Sequence, residues 1–445
     1  MKSLKWLLSL SFFLIFLAGC SFSEKTTDEL ANTGEEFANK PAKPILISYW
    51  YSADEARDYD VYQKWCADNI RLFQDANKDI IVEKTCLSNS DQFQVKLYAS
   101  IAAGDVPDIF QGWFGGRLEP IARSGSIIAL DDIINSDPEL KNIYVPYKLG
   151  QIDGKTYAIG NTLTTEVYFY NRELFAQNNA AVPKTYEELL ILIDLFKGKG
   201  IIPVAMGNND PWVGSIPFMF VFDRIAGPLK YEEILVRKTG YFTSPEYIQA
   251  GEIIVDMSNA GAYPDSFNIM QYDEAKKLFI SGKAAMYPMG TWELANLVNA
   301  MGDNLGFFNF PDIKGGKGKA QEDWICSQDG AFSISARAQG EKREAAIKYL
   351  KYVFSKERLS ELVMAGALIP AKGLDIDEKK LPKATAELYK QLNNVKYKII
   401  PWDNLLSPSI GKEFNLAIQS IYAGNDIKEV FSNLQDIIET EWSND

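Results

Sequence analysis

The stretch GKTYAIGNTLTTEVYFYNRELFAQNNAAVPKTYEELL, residues 154–190, decides how the rest of the chain can be arranged. Within it, residues 162–170 form a β-rich run that carries the polar residues Thr164, Thr165 and Glu166 in its middle. A buried polar group costs free energy unless something pairs with it. The run is therefore either a strand with one ordinary solvent-facing side or a strand that lines a binding site, and its alternation fits both.

The residues after this strand predict two helices. The first begins near Arg172, and the second begins after Thr185, which stands at the N-cap with Glu188 three residues later. That spacing is typical of a capping box, in which the two residues satisfy each other's backbone N–H groups. The stretch is thus predicted to fold as a turn, a strand, a polar strand and two helices.

Composition and charge exclude several classes of function. The chain has 445 residues, enough for two domains with sizeable cores. Its formal net charge of -13 argues against nucleic acid or an anionic membrane surface as an electrostatic partner. It contains no histidine, which excludes Ser-His and Cys-His nucleophiles and imidazole zinc sites. We expect no cofactor and no metal site.

The start of the chain predicts export and a lipid anchor. Two lysines precede an apolar run at residues 7–17, which is too short to span a bilayer and is typical of a signal peptide. The run ends Leu-Ala-Gly-Cys at Cys20, a match to the bacterial lipobox. We predict that residues 1–19 are removed and that Cys20 is lipidated, for example with palmitate, although a plain cleavage site with an incidental cysteine is the alternative. Residues 20–43 are polar and acidic, which predicts a disordered tether.

Three cysteines remain in the body of the chain. Cys66 falls on a predicted helix and Cys86 at the end of the following strand, two elements that are neighbours in an α/β lobe. Because the outside of a cell permits disulfides, we hypothesise a Cys66–Cys86 bridge, with Cys326 as a buried thiol. The alternative is three buried thiols that behave as small hydrophobes.

Two further motifs give the chain a family resemblance. They are AGDVPDIF at residues 103–110 and FISGKAAMYPMGTW at residues 279–292. Together with the order of elements in residues 154–190, they resemble the extracellular solute-binding proteins of bacterial ABC importers, in the carbohydrate-binding group that is similar to maltose-binding protein. In that family the strand at residues 162–170 passes from one lobe to the other at the floor of the ligand cleft.

The resemblance implies an α/β fold of two lobes, with the ligand cleft between them. Each lobe would be a mostly parallel sheet flanked by helices, and the alternation of strands and helices along the chain independently predicts such sheets. The implied N-terminal lobe comprises residues 44–162 plus 311–355. The implied C-terminal lobe comprises residues 163–310 plus 356–445.

Aromatic residues at strand ends are the first candidates for a site. Ligands of parallel sheets bind beyond the carboxyl ends of the strands. Trp50 and Tyr51 end the first predicted strand, and Trp113 follows the third. A single tryptophan is more often a core residue, but aromatics at two strand ends, beside small or polar residues, favour a shared binding surface.

The family resemblance adds further site residues. The tryptophan of the last motif, Trp292, would stack on a sugar ring, because pyranose faces carry C–H groups that bury well on an aromatic face. The other implied ligand contacts are the carboxylates and amide that would bond hydroxyl groups and the additional loop aromatics: Glu166, Asp210, Gln328, Trp212, Trp324 and Trp402.

Two charged segments are predicted to be structural. Asp223 and Arg224 interrupt an aromatic-rich helix. Because buried charges are rare unless paired, the two residues are either on the helix surface or a partner pair, and we favour the surface. The glycine-rich run GGKGK at residues 315–319 could be mistaken for a phosphate cradle, but no helix-opening GK[ST] follows it. We therefore predict a surface turn there.

The resemblance implies that the protein captures an oligosaccharide by hinge closure and presents it to the permease of an ABC transporter at the extracellular face of the cell membrane. We expect a monomer that is not an enzyme and does not bind nucleic acid. The same fold could instead bind a peptide, a polyamine or a phosphate ester, and an extracellular glycoside hydrolase is a third reading. The tryptophans at loop ends and the lack of a basic cluster favour a neutral sugar over phosphate, and no pair of acids is set at opposing strand ends as hydrolysis would require.

Overall fold

A computed structural model describes residues 43–52, 60–87, 90–236 and 241–444. The predicted signal peptide, Cys20 and residues 20–42 of the predicted tether lie outside the described residues. Within the described ranges, no helix combines the length and the apolar character needed to cross a membrane.

The strands are β1 Ile45–Ser52, β2 Ile80–Leu87, β3 Ile109–Gly112, β4 Gln151–Ile152, β5 Lys155–Thr156, β6 Ile159–Asn171, β7 Ile202–Val204, β8 Ala284–Gly290, β9 Leu305–Phe308, β10 Asp323–Ile334 and β11 Tyr397–Ile399. The α-helices are α1 Val61–Ala76, α2 Ser90–Ala102, α3 Glu119–Arg123, α4 Asp131–Ser136, α5 Pro138–Ile143, α6 Arg172–Gln177, α7 Tyr186–Gly198, α8 Trp212–Ala226, α9 Pro228–Tyr231, α10 Pro245–Asn259, α11 Tyr272–Ile280, α12 Leu294–Met301, α13 Gly340–Val353, α14 Lys356–Met364, α15 Lys383–Leu392, α16 Trp402–Leu405, α17 Pro408–Tyr422 and α18 Ile427–Asn444.

Strands β1, β2 and β3 form the part of the sheet that we call the first lobe, together with the helices packed on it. Strand β1 lies in the middle and pairs in parallel with β2 and with β3. Helix α1 connects β1 to β2, and α2 connects β2 to β3. The alternating strands and helices that the sequence predicts here are confirmed, and the fold is the expected mixed α/β architecture.

Strands β6 and β10 cross from the first lobe into the rest of the molecule. They pair antiparallel from Cys326↔Thr165 to Phe332↔Ile159. The end of β10 also pairs with β3, at Ala331↔Gly112. The prediction of a polar strand after Gly154 is confirmed as β6, which is longer at both ends than the predicted 162–170.

The second lobe is the part of the sheet built on the far half of β6. That half pairs antiparallel with β8 and with β9, while β7 joins β8 in parallel. Thr185 caps α7 as predicted, with its hydroxyl accepting from the Glu188 N–H at 3.3 Å. The Glu188 carboxylate reaches back to the N–H of Lys184, at 2.6 Å, one residue before the cap.

Separate apolar clusters fill the two lobes. Apolar residues of β1, β2, β3, α1 and α13 form the core of the first lobe on both faces of its sheet. Apolar residues of β7, β8, β9, α8, α10 and α17 form the core of the second lobe. Two segments pack differently from the lobe bounds drawn from the sequence: Ile313 and Trp324 belong to the second-lobe core, and α14 packs in the first. The reason is that β10 starts beside β11 in the second lobe and crosses only after Cys326.

The charged pair on α8 corrects a prediction. Asp223 and Arg224 do not lie on the surface: both are fully buried and bonded to each other, which is the partner-pair alternative. The Arg224 Nε also donates to the carbonyl of Phe310 at 2.9 Å. The loop at residues 315–319 covers the end of α8: a Cβ on Gly316 would overlap the Arg224 carbonyl oxygen, and one on Gly318 that of Asp223. The run GGKGK therefore packs closely against the backbone of the buried ion pair. Only glycine permits this approach at positions 316 and 318.

The predicted disulfide is not formed. Cys66 on α1 and Cys86 on β2 keep separate thiols, as does Cys326 on β10. Cys66 is buried in the first-lobe core and Cys86 is half-buried against that same core. Both pack as small apolar side chains, which is the alternative reading of the sequence.

Candidate ligand-binding site

A cavity of about 770 Å³ lies where β6 and β10 cross between the lobes. Residues 162–166 of β6 and residues 325–327 of β10 form its floor. The first lobe contributes α2 and the segment after β3, and the second lobe contributes the starts of α8 and α17 and the segment after β8. The volume falls in the range of ordinary small-molecule sites, which also favour crevices between domains.

Two tryptophans form the wall on the second lobe. Trp212 begins α8, and Trp292 lies in the short turn after β8. A Cβ on Gly290 would overlap the ring of Trp292, so the glycine lets the indole lie across the end of β8. The G-x-W spacing of the sequence motif thus has a steric cause. Tyr272 supports this wall, with its ring centroid 5.6 Å from that of Trp212.

A tryptophan and an arginine form the wall on the first lobe. Trp113 follows β3, and the guanidinium of Arg117 lies over its ring, 5.4 Å from the centroid. Phe93 of α2 packs behind Trp113 at 5.7 Å. The hydroxyl of Tyr98 donates to the Arg117 carbonyl at 2.9 Å, which holds α2 against this segment. A cation over the ring stiffens the aromatic surface that faces the cavity.

The polar residues of the floor are paired within the protein. The hydroxyls of Thr164 and Ser327 lie 2.9 Å apart. The Thr165 hydroxyl donates to the Ile325 carbonyl at 2.8 Å, and its backbone N–H donates to the Thr291 hydroxyl at 2.9 Å. The buried polar middle of β6 is therefore stabilised by β10 on one side and by the turn after β8 on the other, as a buried polar group requires. Glu166 lies in the same floor and is buried.

The charges around the cavity are mixed. Asp60, Glu166, Glu293 and Asp329 are its acidic lining residues, and Arg117 and Lys412 are the basic ones. Glu293 is neutralised locally, because the ammonium of Lys276 lies 2.8 Å from its carboxylate. The described lining thus has no cluster of cations of the kind that recognises phosphate. In the described residues, no group of three Asp, Glu or Cys side chains is arranged to hold a metal ion.

The backbones of the two lobes touch beside the cavity. Gly115 and Gly116 follow Trp113 in the first lobe, and they pack against the segment at residues 404–406 in the second. A Cβ on Gly115 would overlap the carbonyl oxygen of Asn404, and one on Gly116 that of Leu406. Gly115 also has a positive φ of 62°, which favours glycine for a second reason.

The structure brings four of the predicted site residues together at the cavity: Trp113, Glu166, Trp212 and Trp292. These come from β6, from the segments after β3 and β8, and from the start of α8. They are far apart in the sequence and meet because the two crossing strands bring the lobes together.

Three of the predicted aromatics are core residues, which corrects the prediction. Trp402 is fully buried and stacks on Tyr231 at 4.1 Å, with its indole N–H donating to the Tyr231 carbonyl at 3.2 Å. Tyr51 is fully buried against Tyr49. Trp324 is buried in the second-lobe core. Their neighbours Ser52, Ile325 and Pro401 line the cavity, whereas these three side chains pack in the cores of the lobes.

Three more predicted residues lie near the cavity without lining it. Gln328 sits between Ser327 and Asp329, which do line it, and alternate residues of a strand face opposite sides. Its amide donates to the Val145 carbonyl at 3.3 Å. Trp50 packs on the first lobe beneath the ammonium of Lys96. Asp210 stands before α8, and its neighbours Pro211 and Trp212 line the cavity in its place.

Several lining residues were not predicted from the sequence. Gln94, Val95 and Tyr98 share one face of α2, and helical spacing alone could have grouped them. Val95 is 70% exposed, an unusual position for a large apolar side chain that faces no core. Tyr62 and Asn296 come from helices of different lobes and left no signal in the sequence. Only the arrangement of the lobes brings them to one cavity.

Comparison with known proteins gives a family and several similar proteins. Residues 70–384 match the family model of the bacterial extracellular solute-binding proteins. A multiple sugar-binding protein of Streptococcus mutans is 25% identical over 329 residues, 69% of this chain and 72% of that protein.

Two solved structures share the fold at a TM-score of 0.80. One comes from work on xylan utilisation by the thermophilic bacterium Caldanaerobius polysaccharolyticus, at 27% identity, covering 88% of this chain and 100% of that one. The other is a chitin oligosaccharide binding protein, at 23% identity, covering 88% of this chain and 98% of that one. Because the family model matches well over half of the sequence, the chain belongs to the bacterial extracellular solute-binding proteins.

Proposed function

We propose that this protein captures a neutral oligosaccharide in the cavity between its lobes and delivers it to the permease of an ABC transporter. The observation that carries the proposal is the pair of facing aromatic walls, Trp113 on the first lobe and Trp212 with Trp292 on the second. Sugar rings carry C–H groups on their faces and hydroxyls at their edges. Aromatic walls with a polar floor between them match that pattern.

The named relatives support a sugar rather than another solute. The Streptococcus mutans protein is called a multiple sugar-binding protein, and the structure at 27% identity comes from work on xylan utilisation. The cavity of about 770 Å³ suits a ligand of more than one sugar ring. Its mixed charges favour a neutral ligand.

We propose that the protein binds its ligand without altering it. Its relatives are binding proteins. Hydrolysis of a glycoside commonly uses two carboxyl groups of different protonation on either side of one bond. Among the acidic lining residues, Glu293 is tied to Lys276 and to the hydroxyl of Tyr272, which leaves it poorly placed as an acid or a base.

We also propose that the mature protein is a monomer held at the extracellular face of the cell membrane by a lipid on Cys20. The apolar run followed by Leu-Ala-Gly-Cys supports this. Cells fed a palmitate analogue that can be tagged should label the wild-type protein. The Cys20→Ala protein should carry no label, and labelling of both proteins would overturn the anchor at Cys20.

A thermal-shift screen tests the function directly. The purified protein is heated with mono-, di- and oligosaccharides, with amino acids, peptides and polyamines as controls. A ligand that binds only the folded state raises the melting temperature by mass action, by an amount that grows with its concentration. A shift confined to one series of sugars, with the sugar recovered intact, supports the proposal. A shift only with a peptide or polyamine overturns the ligand class, and the appearance of sugar fragments would make the protein an enzyme.

A further inference from the structure

One hydrogen bond crosses from lobe to lobe at the N-terminus of α1. The backbone N–H of Val61, the first residue of this helix in the first lobe, donates to the side-chain oxygen Oδ1 of Asn296 at 3.0 Å. Asn296 lies on α12 in the second lobe, and both Asp60 and Asn296 line the cavity. The bond therefore exists only while the two lobes are closed on each other here.

The first turn of α1 needs this acceptor. The first N–H groups of an α-helix have no partner within the helix. The carboxylate of Asp60 caps the helix by accepting from the Gln63 N–H at 2.9 Å. The N–H of Val61 instead donates to the side chain of Asn296 in the opposite lobe. Closure of the lobes therefore completes the capping of α1.

The side chain of Asn296 is held in the orientation that this bond requires. Its Nδ2 donates to the carboxylate of Glu293 at 3.2 Å. The same carboxylate accepts from the ammonium of Lys276 at 2.8 Å and from the hydroxyl of Tyr272. An ionised carboxylate accepts hydrogen bonds and donates none, so it must face the amide nitrogen and leave Oδ1 for Val61.

This network is continuous with the aromatic wall of the cavity. Glu293 follows Trp292 directly, and Tyr272 packs against Trp212. Glu293, Lys276 and Asn296 are all buried. Buried charged groups are fixed strongly when every partner is present. The wall that carries the tryptophans and the residue that reaches the other lobe are thus parts of one rigid unit.

We propose that Asn296 is an affinity-determining residue that acts by latching the lobes, not by binding the ligand. The inference rests on the proposed function, because it assigns a role in ligand retention. The bond to Val61 favours the closed form over the open form, and an interaction present in only one of two states shifts their populations. The latch slows the release of every ligand of the cavity by the same factor, whatever the sugar.

Substitution at Val61 can remove the latch without touching the cavity side chain. Val61→Pro deletes the N–H, and proline is well tolerated at the first position of a helix. Asp60 already has the extended backbone that a residue before proline prefers, with φ -73° and ψ 108°. Val61→Ala is the matched control, because it removes the same side chain and keeps the N–H.

The release rate of a bound sugar gives the first readout. Asn296→Ala and Val61→Pro should each speed release about 3- to 10-fold, the effect of one net hydrogen bond, and Val61→Ala should stay within about twofold of wild type. The double variant Val61→Pro/Asn296→Ala should release no faster than the faster single variant, because both changes break one bond. If the two single-variant increases in release rate multiply in the double variant, Asn296 contacts the ligand and the latch is overturned. Equal release rates for Val61→Pro and Val61→Ala would also overturn the latch.

Hydrogen exchange gives a second readout that needs no sugar. In Asn296→Ala the amide of Val61 should exchange at least about tenfold faster than in wild type. The amide of Lys64 donates to the Asp60 carbonyl within the same helix at 3.0 Å and should be unchanged. Equal exchange of the Val61 amide in both proteins overturns the latch, as does faster exchange of both amides, which would report fraying of α1. If no sugar binds the wild type, the proposed function fails, and this comparison still decides the latch.

Discussion

The indole rings of Trp212 and Trp292 meet edge to face, with their centroids 5.7 Å apart and their planes at 67°. Aromatic pairs prefer this arrangement because the positive ring edge meets the negative ring face. Trp292 keeps 37% of its surface exposed, so one side of the pair remains open to a ligand. The two rings form a corner, which offers a flat molecule one face to stack on and one edge to abut.

We expect Trp292→Ala to weaken the binding of the sugar by about 1–3 kcal/mol, the range for losing one aromatic anchor. Because the ring is partly exposed, its removal should leave the melting temperature of the ligand-free protein nearly unchanged. Isothermal titration with the sugar found in the thermal-shift screen measures the first effect, and calorimetry without ligand measures the second. Unchanged affinity in a folded variant would remove Trp292 from the binding site.

Trp402→Ala is the matched control, since it removes the same side chain from the second-lobe core. That ring is fully buried among aromatic neighbours. Its loss should cost about 3–5 kcal/mol of unfolding free energy through the cavity left behind. The opposite pattern, with stability lost at Trp292 and affinity lost only at Trp402, would exchange the roles assigned to the two tryptophans.

The approach of Gly116 to Leu406 predicts a second effect on affinity. Gly116→Ala would place a Cβ against the Leu406 carbonyl and force the two lobes apart at that point. We expect the sugar to bind roughly tenfold more weakly or worse, because a ligand of the closed form must then also drive the closure. Titration of the same sugar into the variant and the wild type measures the loss.

Gly198→Ala is the matched control for Gly116. Gly198 ends α7, and a Cβ there meets nothing within 4 Å. This variant should bind as the wild type does and gain slightly in stability, because alanine favours the helix over glycine. Equal affinity of Gly116→Ala and Gly198→Ala would show that the contact at Gly116 is not needed for binding.

Local patterns in the sequence predicted the alternation of strands and helices. The polar run in β6 predicted a strand, because alternation is a property of neighbouring residues. That this strand crosses between lobes was implied by the family resemblance. The spacing from Gly290 to Trp292 also reflects a local contact, between a glycine backbone and the ring two residues on. Features fixed by neighbours in the chain could therefore be predicted.

The remaining site could not be predicted because side-chain direction at a strand or helix end depends on distant packing. Trp402 and Trp292 both lie in short helical turns. Tyr231 and its neighbours bury Trp402, whereas Trp292 stays 37% exposed. Gln328 lies between Ser327 and Asp329, which line the cavity, so strand alternation directs its side chain to the other face of β10. Asn296 accepts a bond from the other lobe only because α1 of that lobe begins beside its side chain.

The buried ion pair on α8 gives a prediction about stability. Arg224→Met would leave the carboxylate of Asp223 in the core without its guanidinium. Breaking a buried pair by removing one partner costs about 3–5 kcal/mol, which urea denaturation can measure above pH 7, where Asp223 is ionised. Arg71→Met removes an exposed arginine that pairs with Asp68 on α1 and should cost less than about 1 kcal/mol. Similar losses in the two variants would contradict the role given to the buried pair.

The same pair predicts how stability changes with pH. Burial raises the pKa of Asp223 to about 7 from the usual 3.8, and Arg224 only partly opposes this. Between about pH 4 and 7 the folded protein therefore binds more protons than the unfolded chain does. The free energy of unfolding should fall as the pH rises through this window. Relative to Asp223→Asn, which cannot titrate, the wild type should lose stability from pH 4 to 7, and a constant difference would show that the carboxyl is already ionised at pH 4.

The cysteines give a prediction about chemistry in the folded core. Burial raises the pKa of Cys66, and it raises that of Cys326 to about 11, so both thiols stay protonated and unreactive at neutral pH. Cys86 is half-buried and should react first. We expect residues 43–445, purified without reductant and then denatured, to titrate with three thiols.

In the folded protein, one thiol should be modified well before the other two. Cys86→Ser should abolish that fast reaction and leave the two slow ones, which identifies the reactive residue by mass. A single titratable thiol in the denatured wild type would mean that Cys66 and Cys86 are bridged. In that case reduction should lower the melting temperature of the wild type, because a disulfide restricts the unfolded chain, and should leave that of Cys86→Ser unchanged.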